Sequence, residues 1–70
     1  MERNEIIEQA GNMVLVKYMD DEKLCFVIGW FFAMSQNAIR VKITSTKHLT
    51  YESQEVPIDG ITEISVYQIS

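Results

Sequence analysis

The chain is predicted to be mainly β: one domain over residues 1–70, a small five-stranded barrel with a short N-terminal helix. Three observations lead there. Leu24 to Ser35 holds twelve residues without a charge and sorts bulky from small side chains with period two, the period of a strand. Ala38 to Ser45 alternates apolar and polar residues throughout. Turn-forming residues separate the apolar runs at Asp20–Lys23, Gln36–Asn37 and Pro57–Gly60. At 70 residues the domain sits near the lower size limit for a self-sufficient core, and its 47% hydrophobic content is far above that of a disordered chain.

Residues 4 to 10, NEIIEQA, read as a short helix. Asn4 is a competent N-cap, Glu5 suits the positive end, Gly11 is a natural stop, and Ile6, Ile7 and Ala10 form the apolar side. So short a helix does not persist alone in water, so it is expected to dock and close one open end of the barrel. Met13 to Met19 is the first strand, with Met13 and Leu15 on one face and Val14, Val16 and Tyr18 on the other. The polar turn Asp20-Asp21-Glu22-Lys23 leads into the long apolar run.

That run is expected to be the central, curved strand. Its even positions, Leu24, Phe26, Ile28, Trp30, Phe32 and Met34, are all large and are assigned to the core. Its odd positions, Cys25, Val27, Gly29, Phe31, Ala33 and Ser35, are mostly smaller and are assigned to the thinner side. Gly29 marks a bend or a close backbone approach. Gln36-Asn37 makes a tight turn, with Asn37 able to take positive φ. In the third strand Ile39, Val41 and Ile43 point in, while Arg40, Lys42 and Thr44 point out. Thr46 to Leu49 is a loop, and Thr50 to Val56 a polar strand suited to an edge. Ile58, Ile61 and Ile64 recur every three residues, as one turn of 3₁₀ helix requires, and Ile64 to Ile69 is the last strand.

The composition narrows the function. The net charge of −4 repels nucleic acid on average. No apolar run has the length of a membrane span, the acidic N-terminus is unlike a secretion signal, and a single cysteine fits a reducing, cytoplasmic setting. His48 is the only histidine, and no nucleophile–histidine set can be completed by spacing. Cys25 lies among apolar neighbours and reads as a small buried hydrophobe. Asp20, Asp21 and Glu22 lack the ordered glycine turn of a cation loop, and no phosphate-binding motif is present. No enzymatic activity, metal or cofactor is expected.

The order of elements resembles the SH3-like barrels, and among them the Sm-like proteins. The residues that carry the resemblance are Gly29 in a bent second strand, Asn37 before the alternating Ile39 and Val41, and Ile58-Asp59-Gly60-Ile61 where an Sm-like chain has Ile-Arg-Gly ahead of its last strand. The ending VPIDGITEI is similar to that of YolD-like bacterial proteins. The resemblance implies a small barrel and ring-like self-association. In the Sm-like family the turn Asn and the later Arg help hold an RNA base. Here Asp59 stands at the Arg position and reverses its charge, so the implied fold carries over without the implied RNA binding.

Two surface features remain. Arg40, Lys42, Lys47 and His48 form a basic row on the outward side of the third strand and the loop after it, either a solvated face or an anion contact. Aromatic residues are also in surplus: Tyr18, Trp30, Phe31, Tyr51 and Tyr67. With the even face in the core, Phe31 points outward beside Val27, as a binding patch or as a seat for the N-terminal helix. The open strand edges are expected to pair between copies through Val66, Tyr67 and Ile69. The expected function is a non-enzymatic interaction module that binds itself and another protein, as a small regulator or inhibitor of bacterial or phage type. The alternative is an Sm-like nucleic-acid or nucleotide binder using Asn37 and the Arg40/Lys42/Lys47 strip. No membrane partner is expected.

Overall fold

The computed structural model describes residues 2–45 and 50–68, with the backbone alone at residues 44, 45, 50 and 51. The chain runs α1 (Arg3–Ile7), β1 (Met13–Asp20), β2 (Lys23–Met34), β3 (Ala38–Ser45), β4 (Thr50–Pro57), a 3₁₀ turn (Ile58–Gly60) and β5 (Ile61–Val66). The strands form one antiparallel sheet in the order β4-β3-β2-β1-β5. β4 and β5 are its two edges, and the described residues contain no ladder between them.

Two contacts indicate that the sheet is coiled. Tyr18 on β1 and Gln54 on β4 lie three strand spacings apart in the sheet order, which on a flat sheet is about 14 Å. Yet Gln54 Nε2 donates to the Tyr18 hydroxyl at 2.6 Å, across the inner face. Gly29 is the second. A Cβ there would stand 2.5 Å from Val41 Cγ1 and 2.6 Å from the Lys42 carbonyl oxygen, so β2 bends against β3 at a point that only glycine allows.

β2 does double duty because of this bend. Lys23–Trp30 pairs with β1, while Trp30–Met34 pairs with β3. A bulge between Phe31 and Ala33 inserts Phe32 as the extra residue, which returns Met34 to the inner side opposite Ile39. The core is Val14, Val16 and Tyr18 of β1, Val27 and Phe31 of β2, Ile39 and Val41 of β3, Val56 of β4, Ile61 and Ile64 of β5, and Ile6 of α1.

The expected faces of β2 are therefore reversed up to the bulge, while Met34, assigned to the core, does pack against it. Phe31 is fully buried, whereas Trp30 is 47% exposed, and Leu24, Phe26, Ile28 and Phe32 stand in solvent beside it. The physical reason is curvature. The concave side of the coiled sheet is already filled by Tyr18, Phe31 and the branched side chains of the other strands, so along β2 it has room for Val27, Gly29 and Phe31, and the remaining bulk is accommodated on the convex side. Phe31 is thus a core residue and not a binding residue. It shares its cluster with Ile6 of α1, so the helix does close over this region.

Smaller departures have local causes. α1 ends at Ile7, and Ile7 and Ala10 are exposed, leaving Ile6 as its one buried residue, while Arg3 donates to the Gln36 carbonyl at 2.8 Å and the Ser35 carbonyl at 3.3 Å. Its N-cap is Glu2, and no side chain caps it, Asn4 included. Gly11 takes φ +88° and its N–H donates to the Phe31 carbonyl at 2.8 Å, while Phe31 N–H donates to Asn12 at 3.0 Å. This clamps the helix turn to β2. The β1–β2 turn takes positive φ at Asp21 and Glu22, as a two-residue I′ hairpin turn requires, but Asn37 does not. Instead Ser35 closes the β2–β3 turn: its Oγ accepts from the Ala38 N–H at 3.1 Å and its backbone N–H donates to the Ala38 carbonyl at 2.8 Å. β5 begins at Ile61, directly after the 3₁₀ turn, three residues earlier than the periodicity of isoleucines implied.

Candidate interaction face

The face built by the even positions of β2 is the most distinctive surface of the molecule. From the hairpin tip it runs Leu24, Phe26, Ile28, Trp30, Phe32, with Phe26 66% exposed and Leu24 56%. Register places Met19 opposite Leu24, Lys17 opposite Phe26, Leu15 opposite Ile28 and Met13 opposite Trp30 on β1. Leu15 and Met13 are half-buried and Met19 is exposed, so the apolar strip is two strands wide. The side chains of Met19, Leu24, Phe26, Ile28, Trp30 and Phe32 together expose on the order of 700 Å², above the few hundred Å² usual for a monomer's apolar patch.

Charge frames the strip unequally. Asp20, Asp21 and Glu22 crowd its Leu24 end, with Lys23 beside them. At its other end Lys42 lies opposite Trp30 and Arg40 opposite Ala33, both exposed on β3. Arg40 donates to Glu55 Oε1 from Nε at 3.1 Å and from Nη2 at 2.8 Å, across the β3–β4 pair. Lys17 Nζ stands 3.2 Å from Glu63 on β5, beside Phe26. Both pairs are half open to water and so contribute little stability, but they fix where these cations point.

Among the other residues proposed from sequence, Asn37 is exposed in the turn after β2, and its carbonyl accepts from the Ile58 N–H at 2.9 Å. It therefore ties the 3₁₀ turn to the β2–β3 turn. Val66, the last residue of β5, and Tyr67, just beyond it, are exposed, and the Tyr67 N–H donates to the Met13 carbonyl at 2.8 Å. Lys47, His48 and Ile69 lie outside the described residues. Asp59 is exposed within the 3₁₀ turn. Cys25 is half-buried against the core. Among the described residues no group of three or more His, Cys, Asp or Glu is placed to hold a metal ion, and no helix is long and apolar enough to cross a membrane.

Leu24, Phe26, Ile28, Trp30 and Phe32 were read from the sequence as core. A signal to the contrary exists in β1. Its Lys17 face must be the solvated one, and a two-residue turn at Asp21-Glu22 puts Phe26 opposite Lys17 on that same face. Phasing the hairpin from its turn, and not from side-chain bulk, identifies the exposed row.

No family model, no curated protein and no solved structure matches the chain.

Proposed function

We propose that this protein is a non-enzymatic protein-interaction module, built on a small SH3-like sheet and acting as a regulator or inhibitor through the convex face of β1 and β2. The exposed row Leu24, Phe26, Ile28, Trp30 and Phe32 carries the reading. A 70-residue domain that leaves five large apolar side chains of its central strand in water loses stability and solubility unless another surface covers them. The strand order, the shared and bent β2 and the 3₁₀ turn before β5 support the SH3-like assignment. Affinity purification from the protein's own cells tests the function. A protein retained by the wild type and lost with Trp30→Glu supports it; identical recoveries with both sink it.

A second reading has one observation in its favour. Lys42 beside Trp30 and Arg40 near Phe32 set cations next to rings, the composition of a platform on which unpaired bases stack. The net charge of −4 and the Arg40–Glu55 pair oppose it. Oligonucleotide affinity that falls with log salt, by about 0.7 per phosphate contact for a single strand, is its signature. Absence of binding near physiological salt removes it.

A further inference from the structure

We infer that the surface covering the apolar row is the same row of a second copy, stacked face to face and antiparallel about a two-fold axis near Ile28. The inference rests on the reading of this face as an interaction surface and names its occupant. The row spans eight residue steps from Leu24 to Phe32, at most about 26 Å in a strand that bends at Gly29, and Ile28 is its midpoint. A two-fold axis there sets Ile28 on its own copy, Phe26 on the partner's Trp30 and Leu24 on the partner's Phe32, so each ring or branched chain meets apolar surface.

Area and charge both favour this occupant. The roughly 700 Å² exposed by the row and Met19 sets a ceiling close to the ~800 Å² per partner of a stable interface, before Met13 and Leu15 are added. The two ends of the row differ in net sign: Asp20, Asp21 and Glu22 outnumber Lys23 at one, Arg40 and Lys42 outnumber Glu55 at the other, and the Lys17–Glu63 pair between them is neutral. Antiparallel stacking lays the acidic end of each copy toward the basic end of the other, twice. Parallel stacking would lay acids on acids. The surface is thus complementary to itself in one orientation and not in the other.

Trp30 is the only tryptophan, so its fluorescence reports on this face alone. Across the micromolar range the protein should have twice its 8.1 kDa chain mass by light scattering, and dilution should move the Trp30 emission to longer wavelength. Ile28→Glu, exposed in one copy and so harmless to the fold, places two carboxylates on the axis. It should raise the dissociation constant about 100-fold or more with unchanged circular dichroism. Asp21→Lys with Glu22→Lys should weaken the dimer, Arg40→Glu with Lys42→Glu should weaken it as well, and all four together should restore it. A particle of single-chain mass throughout, or a dimer indifferent to Ile28→Glu, overturns the inference. A monomer that still loses another protein on Trp30→Glu overturns the dimer while leaving the interaction module standing. A Trp30 shift seen only when phosphatidylglycerol vesicles are added to a monomer overturns it in favour of a lipid surface.

Discussion

The two faces of β2 invert the usual relation between size and burial. Before the bulge its inner face offers Cys25, Val27, Gly29 and Phe31, of which Phe31 is the one large side chain, and Met34 joins them beyond it; its outer face offers Leu24, Phe26, Ile28, Trp30 and Phe32. In a broad sheet the bulkier face would be the core. Here the strand is wrapped so tightly that a Cβ on Gly29 would meet the Lys42 carbonyl, and space on the concave side, not hydrophobicity, decides what is buried. The surplus apolar bulk is left where a partner can reach it.

The sharpest test of this contrast is a pair of ring deletions. Phe31→Ala should cost about 3–5 kcal/mol, as truncation of a buried ring does, and in a domain of this size should abolish cooperative thermal unfolding. In the monomeric Ile28→Glu background, Trp30→Ala should cost about 1 kcal/mol or less, the worth of a cross-strand contact with Met13 and Lys42. If urea midpoints rank the two the other way, the faces have been misassigned.

Gly29→Ala comes next. The added methyl meets backbone on one side and Val41 on the other, so the strand must shift, at a cost of about 1–3 kcal/mol. A variant as stable as the wild type would show that β2 is less bent than described. Tyr18→Phe probes the same coiling from across the sheet. It removes the partner of Gln54 Nε2, and chemical denaturation should register about 1 kcal/mol. No loss at all would mean that β1 and β4 do not approach.

The smallest effect is expected on the convex side. Arg40→Glu breaks an exposed ion pair with Glu55, yet stability should change by no more than about 0.5–1 kcal/mol, with the response fading at high salt. A larger loss would give this face a structural role that the contrast denies it.

The order of the elements was legible because local rules governed it. β3 occupies Ala38–Ser45, as its alternation required, and the polar turn at Asp20–Lys23 and the 3₁₀ turn fall where their residues indicated. What was hidden depended on distant contacts. Period two separates the faces of a strand but does not say which is concave; that follows from the coil made by Gly29 and the bulge at Phe32. Residue type points to Asn37 for the β2–β3 turn, whereas Ser35 closes it, because a serine hydroxyl bonding three backbone groups leaves no trace in a hydrophobic pattern. The basic row was partly visible: Arg40 and Lys42 do point outward, but the row of rings beside them was assigned to the interior.

One feature of the topology also bears on how the molecule assembles. β1 with β2, β2 with β3 and β3 with β4 are neighbours in sequence as well as in space, so each pair can form as a hairpin. β5 alone must travel the length of the chain to reach its place, with Ile64 meeting Val16. The entropy of closing that long loop is recovered only when the other strands are already in order, which makes β5 the last strand to dock and the first to leave. While it is away, the backbone of β1 lies open along Val14–Tyr18, the very ladder that an identical strand from another molecule would fit. Exchange of β5 between chains is thus the misassembly this order of strands invites, and the Lys17–Glu63 pair, though worth little once formed, marks the correct register as the strand returns.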